Sequence, residues 1–305
     1  MGNPGFVTAR DVYYPGKGIP RLYSSNDRLI MESTFVRGDG EIKVPRACLY
    51  RGLSNHVSNA VFIPMDLSHW GHFLTEGSSR IWAFGETRSL VIGRRGISTN
   101  VLRVMKISPM TRKHLSKIQA PTGRTTIKKA HIALPSFENR RSCHPIHAAF
   151  FESVAKELGP YRKRKAPLYL SRSKLPLRLR KVHGEDQIEE FMCSIGAKIS
   201  HPQLETVEQQ IAAVNEHDVI IGCHGSALHN VLFRVANRPL RVVMFCASGL
   251  TPNSVNNYVM INKIKGIDAV YANALGTIQG GRKTGSAADN IARMSEIRKA
   301  IHAAL

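Results

Sequence analysis

Residues 219–233 read VIIGCHGSALHNVLF, and this stretch decides the fold of the chain around it. Its first residues are apolar and mostly β-branched, which predicts a buried parallel strand. A turn containing Gly222 and Gly225 follows, and the run from Ser226 onward is compatible with a helix. Such a turn lies at the carboxyl end of its strand, where open α/β sheets place their ligands. Its backbone N–H groups and the helix N-terminus suit a phosphate or pyrophosphate, although glycine in a turn also serves simply to allow a positive φ.

The composition of the 305 residues limits the classes of protein that remain. A hydrophobic content of 43% is enough for one large core or two of medium size. The formal net charge of +21 implies anionic partners such as nucleic acid, anionic lipid or phosphorylated small molecules. No apolar run approaches the roughly 20 residues of a membrane-spanning helix, and the first residues lack the apolar core of a signal peptide. We therefore expect a soluble, cytoplasmic protein.

The five cysteines are odd in number, widely spaced and without a CxxC pair. They indicate neither a zinc site nor a disulfide framework, which favours a reducing compartment. They are Cys48, Cys143, Cys193, Cys223 and Cys246.

Strands and helices alternate in the second half of the chain, which predicts right-handed βαβ units and a parallel sheet. Strand patterns occur at residues 168–171, 197–200, 219–222, 240–245 and 268–271. Helical patterns occur at residues 185–195, 206–217, 255–265 and 286–305. The helix at 206–217 opens with the capping box Thr206-x-x-Gln209.

The first half is less regular. A β-rich lead-in, with the run EIKVPRACLY at residues 41–50, precedes strands predicted at 61–65, 90–93 and 131–133 and a helix-compatible run at 70–84. A helix opening with Ser142-x-x-Pro145 has its apolar residues at 146, 149, 150, 154 and 158 and ends before Gly159-Pro160. We place the domain junction in the basic stretch that follows. Residues 1–160 then form one domain, residues 161–285 a second, and the closing helix 286–305 is expected to pack back on the first.

A basic stretch surrounds the strand at 168–171. Between Tyr161 and Lys181 the chain has nine Lys or Arg and no acidic residue. We expect most of them to be solvated, but Arg172 stands at the strand terminus, where its forked guanidinium is well placed to bind a pyrophosphate. A solvated basic loop remains the alternative interpretation of Arg172.

Charged residues also stand at the beginning of the next helix. Arg180 precedes it, and Glu185 and Asp186 lie in its first turn. The two acids complement the helix dipole, which is a sufficient structural reason for them. Alternatively, a carboxylate at this place binds the hydroxyls of a ribose, as acids of nucleotide-binding folds do.

Residues 66–76, DLSHWGHFLTE, gather histidines, a tryptophan and acids after a predicted strand. On a helix, His72 and Glu76 stand four residues apart and share a face, which suits a general base held by its neighbour. Asp66 is a third candidate. The spacing also resembles half of a metal site, but no third ligand follows. A surface His/Glu pair that satisfies its own hydrogen bonds is the alternative.

Four segments, taken in order, resemble glycosyltransferase family 61 in its xylosyltransferase-like and capsular-polysaccharide forms. They are HWGHFLTEGSSRIW at 69–82, LYLSR at 168–172, RKVHGED at 180–186 and LETVEQQIAAVNEHDVIIGCHGSALHNVLF at 204–233. The resemblance is specific from 168 to about 245 and around 70–82, and weak or absent near both ends of the chain. Gly184 departs from the Asn that is usual in the family, and Ser226 from the usual Ala.

The resemblance implies an α/β fold of the GT-B type, with two Rossmann-like domains facing across a cleft. It also implies an inverting transferase that uses a nucleotide-sugar, usually a UDP-sugar, and needs no metal or other cofactor. The sequence independently lacks a DxD triplet, the usual metal-diphosphate motif of the other main transferase fold. Gln209 would buttress the cleft. The donor-binding residues implied by the resemblance are Arg172, Arg180, Glu185, His224, Gly225, Ser226 and Asn230.

The chemistry of inversion requires one displacement at the anomeric carbon, so the acceptor hydroxyl must lose its proton as it attacks. We expect Glu76 to accept that proton, with His72 the second candidate and Asp66 the third. Without a metal, an arginine and a helix N-terminus neutralise the leaving nucleoside diphosphate. The expected acceptor is a glycan or a lipid-linked saccharide in surface polysaccharide synthesis. The positive charge then reflects contact with an anionic membrane surface.

Three other functions remain open. A nucleic-acid-binding α/β protein explains the charge directly, but the sequence has no known nucleic-acid motif and only 7% aromatic residues. A non-catalytic module binds a nucleotide without turnover. A phosphatase or hydrolase of similar topology cleaves a nucleotide-sugar without any acceptor.

Overall fold

A computed structural model describes residues 2–15, 21–24, 26, 28–33, 55–86, 89–91, 94–117, 123–176, 182–247, 249–254, 256–277 and 290–305. The chain divides into two compact units, Met1–Glu157 and Leu158–Leu305. The predicted donor ligand Arg180 and the strand-like run at 41–50 lie outside the described residues. The roles expected for the two domains remain predictions.

The described residues of the first unit form ten strands and three helices. The strands are β1 Phe6–Tyr14, β2 Leu22–Ser24, β3 Leu29–Ile30, β4 Asn55–Phe62, β5 Met65–Leu67, β6 Ser89–Val91, β7 Arg94–Ile97, β8 Thr125–Ala133, β9 Phe137–Glu138 and β10 Ser142–Cys143. The helices are α1 Trp70–Leu74, α2 Thr99–Ile107 and α3 Pro145–Leu158. Four 3-10 helices cover Met31–Ser33, Glu76–Ser78, Ile81–Gly85 and Arg112–Lys117.

Six of these strands form one mixed sheet in the order β3-β2-β1-β8-β4-β6. The pairs β1/β2, β2/β3 and β1/β8 are antiparallel, whereas β4 is parallel to both β8 and β6. The β-rich lead-in thus contributes β1–β3 to the main sheet of the unit. Because three of its five strand pairs are antiparallel, a second Rossmann-like domain is not confirmed for this unit.

Two predicted elements of the first unit are interrupted. The strand expected at 61–65 ends at Phe62 and resumes as β5, because Pro64 has no N–H to donate to a sheet. The helix expected at 70–84 ends at Leu74 and continues as 3-10 turns. Helix α3 has the predicted ends, but its buried stripe contains His147 and Phe151, while Ala149, expected inside, is exposed.

The second unit alternates strands and helices as predicted. The strands are β11 Leu168–Leu170, β12 Val182–His183, β13 Lys198–Ser200, β14 Val219–Cys223, β15 Arg241–Phe245, β16 Asp268–Ala272, β17 Leu275–Thr277 and β18 Asn290–Ala292. The helices are α4 Glu185–Ser194, α5 Val207–Glu216, α6 Asn257–Ile264 and α7 Met294–Ala304, with 3-10 helices at Pro202–Leu204 and Ser226–Phe233.

Five strands of this unit form an all-parallel sheet in the order β13-β11-β14-β15-β16. Numbered along the chain, the order is 2-1-3-4-5, that of a doubly wound sheet. Helices α4 and α7 pack on one face, where Tyr169, Ile221 and Val243 meet Ile188 and Ile297. The strand order changes direction between β11 and β14, and crevices for ligands form at such a switch point. The predicted α/β class is therefore confirmed.

The end of the chain differs from its prediction. Residues 290–292, expected inside a closing helix, form strand β18 between β12 and β17, and the helix begins only at Met294. Residues 286–289 of that predicted helix lie outside the described part. The apolar residues Ile297 and Ile301 pack α7 on the sheet of the second unit. None of the described helices is both long and apolar enough to cross a membrane.

Candidate active site

Two predicted site segments meet at the switch point of the second unit. Strand β11 ends at Leu170 and is followed by Arg172, and strand β14 ends at Cys223 and is followed by His224 and Gly225. Because β11 and β14 are adjacent and parallel, both segments leave the sheet at the same carboxyl edge. We call Arg172, Glu185, His224, Gly225 and Ser226 the strand-edge site.

The guanidinium of Arg172 is held in place by the chain that follows β14. Its Nη1 donates a hydrogen bond of 2.7 Å to the carbonyl oxygen of His224. Its backbone N–H donates to Oε1 of Glu185 at 2.6 Å. Arg172 is therefore tied to the turn after β14, and the interpretation of a freely solvated loop is wrong for this residue.

Arg172 lies close against Gly225. The φ of Gly225, 170°, is extended backbone, which any residue adopts, so the alternative that glycine serves here only to allow a positive φ is wrong. A Cβ built on Gly225 would lie 2.5 Å from Nη1 of Arg172. Glycine at this position thus leaves room for the guanidinium beside the turn. The segment after it, Ser226–Phe233, is a 3-10 helix.

Glu185 is buried and links Arg172 to the sheet through hydrogen bonds. The side chain is 4% exposed, and its Oε1 also accepts a hydrogen bond of 3.0 Å from the hydroxyl of Tyr169. Burial raises the pKa of Glu185, against hydrogen bonds from Arg172 and Tyr169 that lower it. Gly184, the N-cap before it, has φ 81° and ψ 18°. This left-handed conformation is one that Asn and Gly both adopt, so the departure from the family pattern keeps the backbone.

Asn230 lies buried behind the turn, where it is 2% exposed. Its Nδ2 donates to Oε1 of Gln210 at 2.9 Å, and Nε2 of Gln210 donates to the carbonyl oxygens of Pro202 and Glu205. Gln209 is exposed and completes the predicted capping box with Thr206. The buttress expected of Gln209 is therefore provided by its neighbour Gln210.

The first unit brings two of its predicted site residues together. Nδ1 of His72 lies 2.5 Å from Oε1 of Glu76, and the hydroxyl of Thr75 donates to Oε2. Glu76 is 6% exposed, whereas the side chain of His72 is 35% exposed. Burial raises the pKa of Glu76, but the hydrogen bonds from His72 and Thr75 outweigh it, so the pKa is lowered. The two side chains satisfy each other's hydrogen bond, and the pair joins a buried carboxylate to a more accessible imidazole.

Close backbone packing shapes this segment, residues 72–79, which we call the His72–Glu76 turn. A Cβ on Gly77 would lie 2.5 Å from the carbonyl oxygen of Asp66 and 2.7 Å from that of His72. The carboxylate of Asp66, the third predicted base, accepts hydrogen bonds from the N–H and hydroxyl of Ser68. The backbone of Asp66 therefore lies close against Gly77, and the predicted role of Asp66 as a base is not tested.

Three residues of these sites were missed by sequence reasoning: Tyr169, Gln210 and His147. Gln210 lies on the apolar stripe of α5 between Val207 and Ile211. His147 occupies the same kind of position on α3. A polar residue at a core position of an amphipathic helix is the signal that identifies both.

The described residues contain no group of three or more His, Cys, Asp or Glu that could hold a metal ion. The four cysteines among them are all free thiols.

The family model described as Glycosyltransferase 61 matches residues 70–243 of the chain. This range includes the His72–Glu76 turn and the strand-edge site. The chain therefore belongs to glycosyltransferase family 61 and is a glycosyltransferase, as its sequence motifs predicted. A search of curated proteins finds no match.

Proposed function

We propose that the protein is an inverting transferase of the GT-B type that moves a sugar from a nucleoside diphosphate, uridine diphosphate in the first instance, to a glycan or lipid-linked saccharide. The observation that carries the proposal is Arg172, held beside Gly225 at the switch point of a doubly wound sheet. A diphosphate bound there contacts the fixed guanidinium of Arg172 and the backbone N–H groups of the turn. Synthesis of a surface polysaccharide is the proposed setting.

Two cations of the basic stretch around β11 are already paired with carboxylates. Lys163 and Arg164 form ion pairs of 2.5 and 2.6 Å with Asp218 and Glu216. Each of these two pairs neutralises its own charge. The proposal assigns the diphosphate to Arg172, which stands at the end of β11. The proposed binding uses no metal, because Arg172 supplies the positive charge on the leaving group.

The proposed base is His72 rather than Glu76. Glu76 is buried and already accepts hydrogen bonds from His72 and Thr75, while His72 is the more exposed partner. When Nδ1 of His72 donates to Glu76, Nε2 of the neutral ring carries the lone pair. The acceptor oxygen bonds to the anomeric carbon, its proton passes to Nε2, and the bond to the diphosphate breaks with its electrons on the leaving group. Glu76 stabilises the imidazolium that forms.

A thermal-shift panel of UDP, GDP, CDP and their sugars, with and without EDTA, tests the donor site. A ligand that binds only the folded protein raises the unfolding midpoint. We expect a shift with a uridine nucleotide that EDTA does not change and that Arg172→Ala removes. No shift with any nucleotide contradicts the donor site. With the sugar identified, release of UDP that depends on a saccharide acceptor separates a transferase from a hydrolase.

We also propose that the protein works at the cytoplasmic face of an anionic membrane. From residue 87 to residue 137 the chain has eleven Lys or Arg and no acidic residue. Arg103 and Lys106 of α2 and Lys113 beyond it are exposed. Basic residues near such a surface each contribute about 1 kcal/mol.

Flotation with vesicles tests the membrane proposal. We expect the protein to float with vesicles containing phosphatidylglycerol at low salt and not with neutral ones, and Lys106→Glu with Lys113→Glu to weaken flotation. Lys156→Glu and Lys299→Glu, on exposed ion-paired lysines, form the matched control. Failure to float with anionic vesicles at low salt contradicts the proposal. Tight binding of RNA that falls steeply with salt would instead support the nucleic-acid function.

A further inference from the structure

His147 lies in the core of the first unit with its ring fixed by aromatic neighbours. It is 2% exposed. The ring centroid is 5.0 Å from that of Phe137 and 5.3 Å from that of Phe151. Phe151 in turn meets Phe73 of α1 edge to face at 5.8 Å. Rotation of the imidazole is therefore blocked, and its two nitrogens point to defined partners.

The hydrogen bonds of His147 define one tautomer. Nε2 lies 3.0 Å from the carbonyl oxygen of Leu74, which only accepts, so Nε2 carries the proton. Nδ1 is then the acceptor for the hydroxyl of Ser136 at 3.1 Å. Burial lowers the pKa of His147 to about 4, although the bond to Leu74 and the charge of Glu76 oppose this. Near pH 7 the ring is neutral and keeps both bonds.

Ser136 holds the other end of the same segment. Its backbone N–H and its hydroxyl each lie 2.6 Å from the carbonyl oxygen of Ser79. When the hydroxyl proton goes to His147, the N–H still binds Ser79. The hydroxyl of Ser79 donates to the backbone oxygen of Glu76 at 2.7 Å. Leu74 and Ser79 stand on either side of Glu76. Hydrogen bonds from His147 and Ser136 therefore hold both ends of the segment that carries Glu76.

We propose that His147 is a positioning residue for the His72–Glu76 turn: with Ser136, it fixes the segment from Leu74 to Ser79 so that the carboxylate of Glu76 holds the imidazole of His72. This inference rests on the proposed role of that pair in catalysis. A misplacement of about 1 Å in a catalytic group can cost roughly a hundredfold in rate, and such groups need rigid support behind them.

The test compares two changes at one position. His147→Phe keeps an aromatic ring between Phe137 and Phe151 but removes both hydrogen bonds. We expect kcat to fall about 10-fold to 100-fold while the KM for the donor and the nucleotide-induced thermal shift stay as in the wild type. His147→Gln can donate again to Leu74, and we expect it to recover part of the lost kcat. A loss of packing alone would not be rescued in this way.

His131 supplies the matched control. It is also a buried histidine of the first unit, but its hydrogen bond goes to the hydroxyl of Thr8 and not to the turn. We expect His131→Phe to leave kcat within about twofold of the wild type, since it lies outside the turn. The inference is wrong if folded His147→Phe keeps its kcat, or if His131→Phe loses as much. If His147→Phe does not fold, Ser136→Ala decides, with a smaller fall in kcat expected and an unchanged kcat contradicting the inference.

A second measurement needs no turnover. The pKa of Glu76 is lowered by its hydrogen bonds to His72 and Thr75, and carbon NMR of the labelled carboxyl, assigned with Glu76→Gln, reports it. We expect this pKa to rise in His147→Phe and to stay constant in His131→Phe. If the wild type shows no transfer, the proposed function fails, while the pKa still tests the positioning. An unchanged pKa in folded His147→Phe overturns the inference.

Discussion

At the scale of single residues, Gly225 leaves the space that the guanidinium of Arg172 occupies. In Gly225→Ala the new Cβ would meet Nη1 of Arg172, the far end of a flexible side chain. We therefore expect the free energy of unfolding to change by less than about 1 kcal/mol, but the guanidinium to leave its place beside His224. The uridine-nucleotide thermal shift should fall to that of Arg172→Ala.

Gly222 is the matched control for this change, because a Cβ there meets its nearest atoms at 3.5 Å, an ordinary contact. Gly222→Ala should retain nucleotide binding. Binding by Gly225→Ala with the affinity of the wild type would mean that the position of Arg172 does not determine donor affinity.

Gly77 differs from Gly225 because a Cβ there meets main-chain oxygens, which cannot swing away. We expect Gly77→Ala to cost about 1–3 kcal/mol in the free energy of unfolding, typical of an overpacked core, and to reduce kcat by shifting the His72–Glu76 turn. Gly85→Ala, which adds a Cβ with nothing within 4 Å, should cost less than about 0.5 kcal/mol. Urea unfolding measures both, and equal costs would mean that the close approach at Gly77 is readily relieved.

At the scale of elements, two adjacent glutamines of α5 have different tasks. Gln210→Ala removes the acceptor of Asn230 and the donor to two carbonyl groups, and buried polar groups left without partners cost about 1–3 kcal/mol each. Gln209→Ala removes only an exposed contact of the capping box, worth about 0.5 kcal/mol or less. We expect only Gln210→Ala to weaken nucleotide binding as well. Urea unfolding and the thermal-shift panel distinguish the two variants. Equal stability and equal nucleotide binding in both would contradict the supporting role of Gln210.

The strands of the second unit could be predicted because each is marked by a short apolar run within its own sequence. The runs at 168–170 and 219–223 are apolar on both faces, as a covered parallel sheet requires. The capping box at Thr206 was predictable because it, too, is contained in a short run of sequence. The family resemblance implied Gln209 as the buttress, whereas Gln210 is the residue on the buried stripe of α5. A helical period near 3.6 makes neighbouring residues face in different directions.

The site in the first unit could be predicted only in part. The spacing of four residues paired His72 with Glu76, and the structure joins them although α1 ends at Leu74 between them. The burial of Glu76 could not be predicted from the sequence, because the turn is enclosed by Ser136 and His147, which lie about 60 and 70 residues further along the chain. Contacts so far apart in sequence leave no local pattern.

At the scale of the whole molecule, His147 predicts how stability depends on pH. Its pKa is lowered to about 4 by burial, below the roughly 6.5 of an unfolded histidine. Between these values the unfolded chain binds the additional proton, so this stabilisation is complete above pH 6.5 and is lost as the pH falls towards 4. From pH 7 to pH 5 we expect the free energy of unfolding to fall by about 2 kcal/mol from this group.

Urea unfolding at pH 7 and pH 5 checks this expectation, with His147→Gln as the variant that cannot titrate. The fall in stability between the two pH values should be about 2 kcal/mol smaller in the variant. His131→Gln controls for the loss of a buried histidine. An equal fall in the wild type and His147→Gln would show that His147 is already charged at pH 5 or exposed to water.

Each unit is one uninterrupted run of sequence, and the chain passes between them once, at Glu157–Leu158. A single genetic crossover at this point exchanges the whole strand-edge site while leaving the His72–Glu76 turn and its support from Ser136 and His147 intact. With the proposed roles, choice of donor and activation of acceptor are then inherited as separate pieces. Under this proposal, recombination at the boundary changes the donor sugar and leaves the residues that remove the proton as they are.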